Sequence, residues 1–535
     1  MKKIITRLFI LGALIALLPA GAAAQQLDAR QRNAETVVAD GLAQLPAATP
    51  AVFNEVMGEL AATGSAGVEM IAGMLTPADK GKNATLEYAL NGITAYATAP
   101  GNEALCADVR KGLVRAIERC ADNANRAFLF SQLQLCSAAE DAAWILPYLD
   151  DSYLSDYAIR ALISTPGTEP VLLAEARKEG LAAERKRALA YAFAEKRMTQ
   201  AEPFLLGWLG GADARTAEQI YNALAVCGSR ASLKPLAAAA AEAGYGWDNT
   251  GAADAYLRLL ANLVAAGDAQ PAVKAAKGLL KCDRQYVRGA ALAVLADALG
   301  TEKAMPYVLA AVKEGPAEYR YAALQTLGKG DDEIFARVAA GMPRYDAETR
   351  TAVLAWLGDC GAVSQSGVIT GAVTSSDDRV ARAAIEASGR IGGEQALAAL
   401  VSALEGPHAE AAEKALLAFN GRIDPMVERL LARDDAEVLV PALRLAAARR
   451  MTVAADRVFA LLETSDKQVR EAAYAALPYV TGPRHMDRLA GLLDAADGQH
   501  AAQIQTALIR TSAQLPADKR YGAIAGYMRA SKIPA

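Results

Sequence analysis

Between positions 122 and 530, apolar residues recur with a helical period in paired runs, and the pair itself returns about every 30 residues. Each copy opens on an acidic residue, continues as a run rich in Ala and Leu, breaks at a Gly-centred turn and closes with a second helical run. Two short helices of this kind each carry an apolar stripe that only the neighbouring copies can cover. The pattern therefore predicts an all-α chain built as a helical solenoid.

Three copies show the repeat most plainly: DRQYVRGAALAVLADALG (283–300), DDRVARAAIEASGRIG (377–392) and DKQVREAAYAALPYVTG (466–482). In each, an Asp stands where a helix N-cap belongs, and its carboxylate can accept the orphan amide protons of the first turn. Val, Arg and an Ala pair follow (Val287, Arg288, Ala290, Ala291; Val380, Arg382, Ala383, Ala384; Val469, Arg470, Ala472, Ala473), the small pair allowing close approach between helices. A Gly can then end the first helix in the left-handed conformation. Pro170, Pro203, Pro235, Pro271 and Pro306 fall near the start of second helices, where a missing N–H costs least.

Carried along the chain, this phase predicts first helices opening near Asp122, Asp151, Leu181, Asp213, Asp248, Asp283, Pro316, Asp346, Asp377, His408, Asp435, Asp466 and Gln499. The less regular stretch 25–121 predicts helices near 50–63, 65–75, 85–99 and 103–120, an N-terminal cap on the array at 122–535. The total is roughly 15 helix pairs.

These units resemble the HEAT-repeat family, most of all its short bacterial form first described in phycobilisome lyases. The resemblance implies a right-handed superhelix with second helices on the concave side. It also implies a ladder between repeats made by Asp283, Arg288, Asp377, Arg382, Asp466 and Arg470. Two units depart from the pattern: the one at Leu181 opens without Asp, and Tyr319, Arg320 and Tyr321 fill the Val-Arg region after Pro316, so the ladder's continuity is in question there.

The first 24 residues belong to a different kind of segment. Lys2, Lys3 and Arg7 precede an apolar run over 8–18, then Pro19 and the small residues 21–24, the three-part form of a secretory signal peptide. Cleavage after Ala24 would start the mature chain at Gln25. The run is shorter than the roughly 20 residues a membrane span requires, and nothing downstream is long and apolar enough to be one. The expected product is exported, periplasmic or extracellular.

Composition sharpens this picture. Hydrophobic residues reach 53% while aromatics are only 6%, which suits Ala/Leu helix packing better than the β-branched and aromatic demands of sheets. Loss of the leader removes three of 56 cations and none of the 60 acids, taking the formal net charge from −4 to −7. A mildly acidic chain lacks the basic footprint of a nucleic-acid binder. The runs Arg185-Lys186-Arg187 and Arg449-Arg450 read as solvated faces.

Candidate chemistry is sparse. The three histidines, His408, His485 and His500, stand in different repeats, and no HExxH, GxSxG or phosphate-binding loop occurs. Paired acids such as 377–378 and 434–435 sit where helices cap, so neither enzyme, cofactor nor metal is expected. Asn83-Ala84-Thr85 fits a glycosylation sequon but reads as a helix cap. The six cysteines show no metal spacing. Cys106 and Cys120 share one helix, about 21 Å apart and beyond disulfide reach. Cys120 with Cys136 is the pair worth considering; otherwise all six read as small buried groups.

Trp144, Trp208 and Trp356 fall on helical stripes and read as core. Trp247 lies instead in AGYGWDNTG (243–251), a Gly-interrupted insertion between repeats. Such insertions tend to emerge on one face of a solenoid, which makes Tyr245, Trp247, Asp248 and Asn249 the candidate binding residues for a protein or glycan partner. The competing reading folds Trp247 back as a hydrophobic staple against the next helix. A narrower resemblance points the same way. DNANRAFLFSQLQLCSAAEDA (122–142) and YNALAVCGSRASLKPLAAAA (221–240) are similar to the helical-repeat half of larger exported bacterial proteins with domains related to 3-keto-disaccharide hydrolases. It implies proximity to carbohydrate breakdown and carries over no catalytic residue. The expected function is a non-enzymatic interaction scaffold, with the scaffold half of a carbohydrate-processing enzyme as the alternative.

Overall fold

The computed structural model describes residues 33–77, 80–419, 421–496 and 498–530; the leader expected over 1–24 lies outside the described residues. Among the described residues are 31 α-helices and seven short 3-10 helices, with no strand. The chain is an all-α solenoid. Of the helices expected before position 122, all four form, as Pro50–Ala62, Gly64–Gly73, Ala84–Ala97 and Glu103–Arg119, and a further helix, Ala34–Ala43, precedes them.

The acidic openings work as caps in six repeats. Asp122, Asp213 and Asp346 accept the N–H three residues on, at 2.9, 2.8 and 2.7 Å. Asp377 and Asp466 each accept two amides, and Asp435 accepts from Glu437 at 3.0 Å. Each such cap contributes about 1 kcal/mol. Elsewhere the expected residue is near the start but does not cap. Asp151 ties the turn before Ser155–Ser164, and Arg284, not Asp283, holds the cap position of Gln285–Leu299. Asn83 is at a cap position, yet its side chain turns back to Thr76 and Asn125 and is buried.

Two compact units, 1–272 and 273–535, divide the chain. Within the first, Ala183–Glu195 packs on Ala214–Cys227, which packs on Ala252–Ala265; within the second, Ala347–Asp359 packs on Asp378–Ile391, and Ala436–Ala448 on Lys467–Val480. Second helices fill the space alongside, so that in the second unit Val353, Leu354 and Leu357 join Val380, Ala384 and Ile385 in one apolar core. The second Ala of each pair, Ala291, Ala384 and Ala473, is fully buried. Glycines allow close approach: a Cβ on Gly358 would stand 2.8 Å from the Cα of Ala387, and one on Gly389 3.1 Å from Ala415.

First helices end as expected where Gly267 and Gly361 turn left-handed, with Asp268 and Ala362 donating back to Leu263 and Leu357 at 2.8 and 2.9 Å. Two ends use arginine for the same turn. Arg197 and Arg450 have φ of 52° and 54°, and the following Met198 and Met451 donate back to Phe193 and Ala446, both at 2.9 Å.

The expected ladder between repeats is not what Asp283, Arg288, Asp377, Arg382, Asp466 and Arg470 make. The carboxylates of Asp377 and Asp466 are already engaged by their own helix amides. Arg382 pairs with Asp378 at 2.8 Å in the same helix, Arg470 donates to the Thr464 carbonyl at 2.8 Å, and Arg288 lies 4.0 Å over the Tyr319 ring. Apart from Arg288, whose Tyr319 partner belongs to the next repeat, repeats are joined by other arginines, two of them in the departing units. Arg320, buried, donates to the carbonyls of Val312 (3.2 Å) and Gly315 (3.0 Å) at the end of Thr301–Glu314, and to Glu348 of the next repeat at 2.9 Å. Those carbonyls have no intrahelical partner, and a cation there also meets the negative end of the helix dipole.

Arg185 makes a comparable clamp, donating to Asp150 at 2.7 Å, to the Leu146 carbonyl at 3.1 Å and to the buried Glu175. Arg187 reaches Thr216 at 3.1 Å, and Arg449 the Phe419 carbonyl at 2.6 Å. These contacts overturn the reading of both basic runs as solvated faces; of the second run, Arg450 is exposed. The reason is that a guanidinium on a long apolar stem can cover a neighbour's stripe while its head finds acceptors at a helix end.

Two outcomes test this packing. Gly358→Ala should destabilise the second unit by about 1–3 kcal/mol, the usual cost of overpacking. Gly491→Ala, in mid-helix with nothing within 4 Å of the added methyl, should stabilise by about 0.5–1 kcal/mol. Denaturant melts followed by circular dichroism read both, and equal effects would show that the Gly358 contact is not tight.

His485 sets a pH dependence. It is buried, and burial first, then the neighbouring Arg484 charge, holds its pKa below the ordinary 6.5. The Gly482 N–H and Arg484 Nε both approach the ring at 3.0 Å, and an imidazolium would have no lone pair for either. The unfolded chain therefore binds the proton more readily. Stability from this site is complete above pH about 6.5 and falls as pH drops through the depressed folded value. Melting temperatures between pH 7.5 and 5 should fall less in His485→Asn than in the parent chain.

Candidate binding site

The helix Arg230–Glu242 ends in two successive left-handed residues, Gly244 (φ 58°) and Tyr245 (φ 53°). Gly244 and Tyr245 donate back to the carbonyls of Ala241 (2.9 Å) and Ala240 (2.8 Å), closing the helix end. A second left-handed residue that is not glycine is sterically expensive, so the surrounding contacts must hold Tyr245 in place. It is half-buried beside the buried Tyr256 of the next helix, whose hydroxyl pKa is raised by burial and, less, by Tyr245. Of the two aromatics in the loop, Tyr245 is thus the covered one.

Trp247 is 90% exposed. Its neighbour Asp248 orders the loop: one carboxylate oxygen accepts the N–H groups of Thr250 (3.2 Å) and Gly251 (2.8 Å), and the other accepts the Thr250 hydroxyl at 2.8 Å. Gly251, left-handed at φ 62°, takes the cap position of Ala252–Ala265, so neither Asp248 nor the exposed Asn249 caps that helix. Trp247, Asp248 and Asn249 edge a shallow cleft of about 500 Å³ whose opposite side is Arg215 and Glu218 of Ala214–Cys227. Asp248 and Glu242 also lie near Tyr221, whose hydroxyl pKa is raised by burial and then by these two charges.

Sequence reasoning missed a second cleft on the same helix. Gln219 and Asn222, one turn beyond Arg215 and Glu218, line a space of about 370 Å³ with Tyr191, Arg197 and Arg258. Arg258 donates to Asn222 at 3.1 Å. Tyr191, Asn222 and Arg258 come from three consecutive first helices, Ala183–Glu195, Ala214–Cys227 and Ala252–Ala265. The six residues of the expected ladder all belong to the second unit and take no part in either cleft.

The other tryptophans are covered to differing degrees. Trp356 is buried, whereas Trp144 and Trp208 are half-buried, stacked on Phe130 and Phe193, with the Trp144 indole N–H donating to Glu118 at 2.8 Å. Among the described residues, no helix is long and apolar enough to cross a membrane, and no group of three or more His, Cys, Asp or Glu could hold a metal ion.

No family model and no curated protein matches the chain. Among solved structures it is similar to Kap121p bound to Nup53p, at 13% identity and a TM-score of 0.41 over 94% of this chain, and spans 58% of that protein. It is also similar to Kap121p bound to RanGTP, at 14% identity and a TM-score of 0.39 over 91% of this chain and 57% of the other. A structure of Kap95p with RanGDP matches at 10% identity and a TM-score of 0.37, over 93% of this chain and 84% of that one. The fold assignment stands on the helices themselves.

Iodide should quench Trp247 more readily than the other three tryptophans, and Trp247→Phe should remove most of the accessible fluorescence. Trp247→Ala should leave the melting temperature unchanged, while Tyr245→Ala should cost about 1 kcal/mol as an ordinary destabilising change. Equal losses of stability would mean that the indole is packed.

Proposed function

We propose that the chain is an exported, non-enzymatic interaction scaffold whose 243–251 loop contacts a protein or glycan partner. The observation that carries this reading is the 90% exposure of Trp247 on a loop tied down by Asp248, beside a cleft edged by Arg215, Glu218 and Asn249. Covering an indole recovers apolar burial, and a pre-ordered loop reduces the entropy lost on binding. Tryptophan is also the residue type most enriched among energetic centres of interfaces. The flat ring suits the apolar face of a sugar or an apolar side chain of a protein, while the carboxylates, amide and guanidinium around it suit hydroxyl or peptide groups. Export rests on the leader-like 1–24 segment, with the product periplasmic or extracellular. The reading as the scaffold half or subunit of a keto-glycoside-hydrolase-type enzyme draws on the resemblance of 122–142 and 221–240.

Purified chain tested against glycan and peptide arrays should show saturable binding without product. Trp247→Ala should weaken that binding at least about tenfold, or 1.4 kcal/mol, at unchanged thermal stability. Undiminished binding by the variant would remove the loop from the site, and turnover of a sugar would overturn the non-enzymatic reading.

A further inference from the structure

The helices Glu103–Arg119 and Asn123–Cys136 form a hairpin closed by residues 120–122, and they pack against each other. Cys106 lies 13 residues before the end of the first helix, and Cys136 lies 13 residues after the start of the second (106 to 119; 123 to 136). Both therefore stand roughly 20 Å from the turn, level with each other in an antiparallel pair. Packed axes about 8–10 Å apart, with Cα atoms about 2.3 Å from each axis, bring facing Cα atoms to roughly 3.5–5.5 Å. That range overlaps the span of about 4.4–6.8 Å that a disulfide bridges.

Arg110, one turn beyond Cys106, pairs with Glu140 and, at 3.6 Å, with Asp141, so the segment that follows Cys136 is tied back to the helix that carries Cys106. Cys106 lies near enough to Cys136 to act on its thiol, whose Sγ donates to the Gln132 carbonyl at 3.7 Å. Cys120 sits at the turn, the far end of the hairpin from Cys136, with its thiol on the Asp122 carbonyl at 3.5 Å. The Cys120–Cys136 pairing considered from sequence is therefore the wrong one.

We propose that Cys106 and Cys136 are a disulfide-forming pair that locks the open ends of this hairpin together. The oxidant is an external disulfide, small or protein-borne. Cys106, the more exposed of the two, attacks it as the thiolate, forming a mixed disulfide and releasing one thiolate. Cys136 then attacks the Cys106 sulfur and releases the second. The two protein thiols lose two protons and two electrons, and the external disulfide is reduced to two thiols. Burial pushes the Cys136 thiol up to about 12, which leaves capture of the oxidant to Cys106 and makes the attack by Cys136 the slower step. An oxidising compartment, as the proposed export implies, would keep the bond closed.

Incubating the purified full chain with oxidised glutathione, then alkylating it in denaturant and mapping peptides without reduction, tests this. One cross-linked peptide containing Cys106 and Cys136 should appear, with two of the six thiols lost to alkylation. Cys120→Ser should change nothing, whereas Cys106→Ser should leave Cys136 alkylatable. The oxidised chain should melt at a higher temperature than the reduced one, a gap that Cys106→Ser abolishes. Six alkylatable thiols after oxidation, a Cys120–Cys136 peptide, or glutathione retained on Cys106 without the cross-link would each overturn the proposal.

Discussion

The structure depends on one constraint: each helix buries its apolar stripe only if the next helix comes close enough to cover it. Ala and Gly at the contact make this possible. Gly358 faces the backbone of Ala387 at a separation that leaves no room for a side chain, and Gly389 faces Ala415 at one that is tight even for a methyl. Larger residues then fill the gaps on either side, as Val353, Leu354 and Ile385 do. Burial at about 25 cal/mol per Å² of apolar surface is the driving force, and the small residues determine where it can act.

Charged side chains hold the repeats in place after that approach is made. Helix ends leave carbonyls without partners, and Arg320 supplies donors to those of Val312 and Gly315. The caps were legible in the sequence because an N-cap is a local device, set by a side chain and an amide two or three residues away. The clamps were not. Arg320 and Arg185 sit in the units that break the consensus, and each has one carboxylate partner roughly a repeat away, Glu348 and Asp150. The consensus residue Arg382 instead pairs within its own helix, and Arg288 crosses to the next repeat through the Tyr319 ring.

The 243–251 loop was found for a sound reason and partly misassigned in detail. Its glycines and aromatics marked an insertion, and Gly244 and Gly251 do turn left-handed. Which aromatic would be exposed could not be read from order in the chain. Tyr245 shares the left-handed turn and is half-buried, leaving Trp247 outside. Asp248 was read as a cap because Asp opens most repeats, but here it closes the loop on itself and Gly251 starts the helix. The cleft of Tyr191, Asn222 and Arg258 draws on three different helices, which a single motif does not supply.

The side-chain bonds between repeats join residues close in the chain, such as Arg320 with Glu348, Arg390 with Asp359 and Arg444 with Glu413, 28, 31 and 31 positions apart. Within each unit no long loop has to close before native contacts begin to form. Contact order is therefore low, which favours rapid folding, and a nucleus can start at any repeat and spread to its neighbours. The same locality works in reverse. A terminal repeat has a neighbour on one side only, so opening should begin there and advance inward one helix pair at a time, with hydrogen-exchange protection graded along the chain.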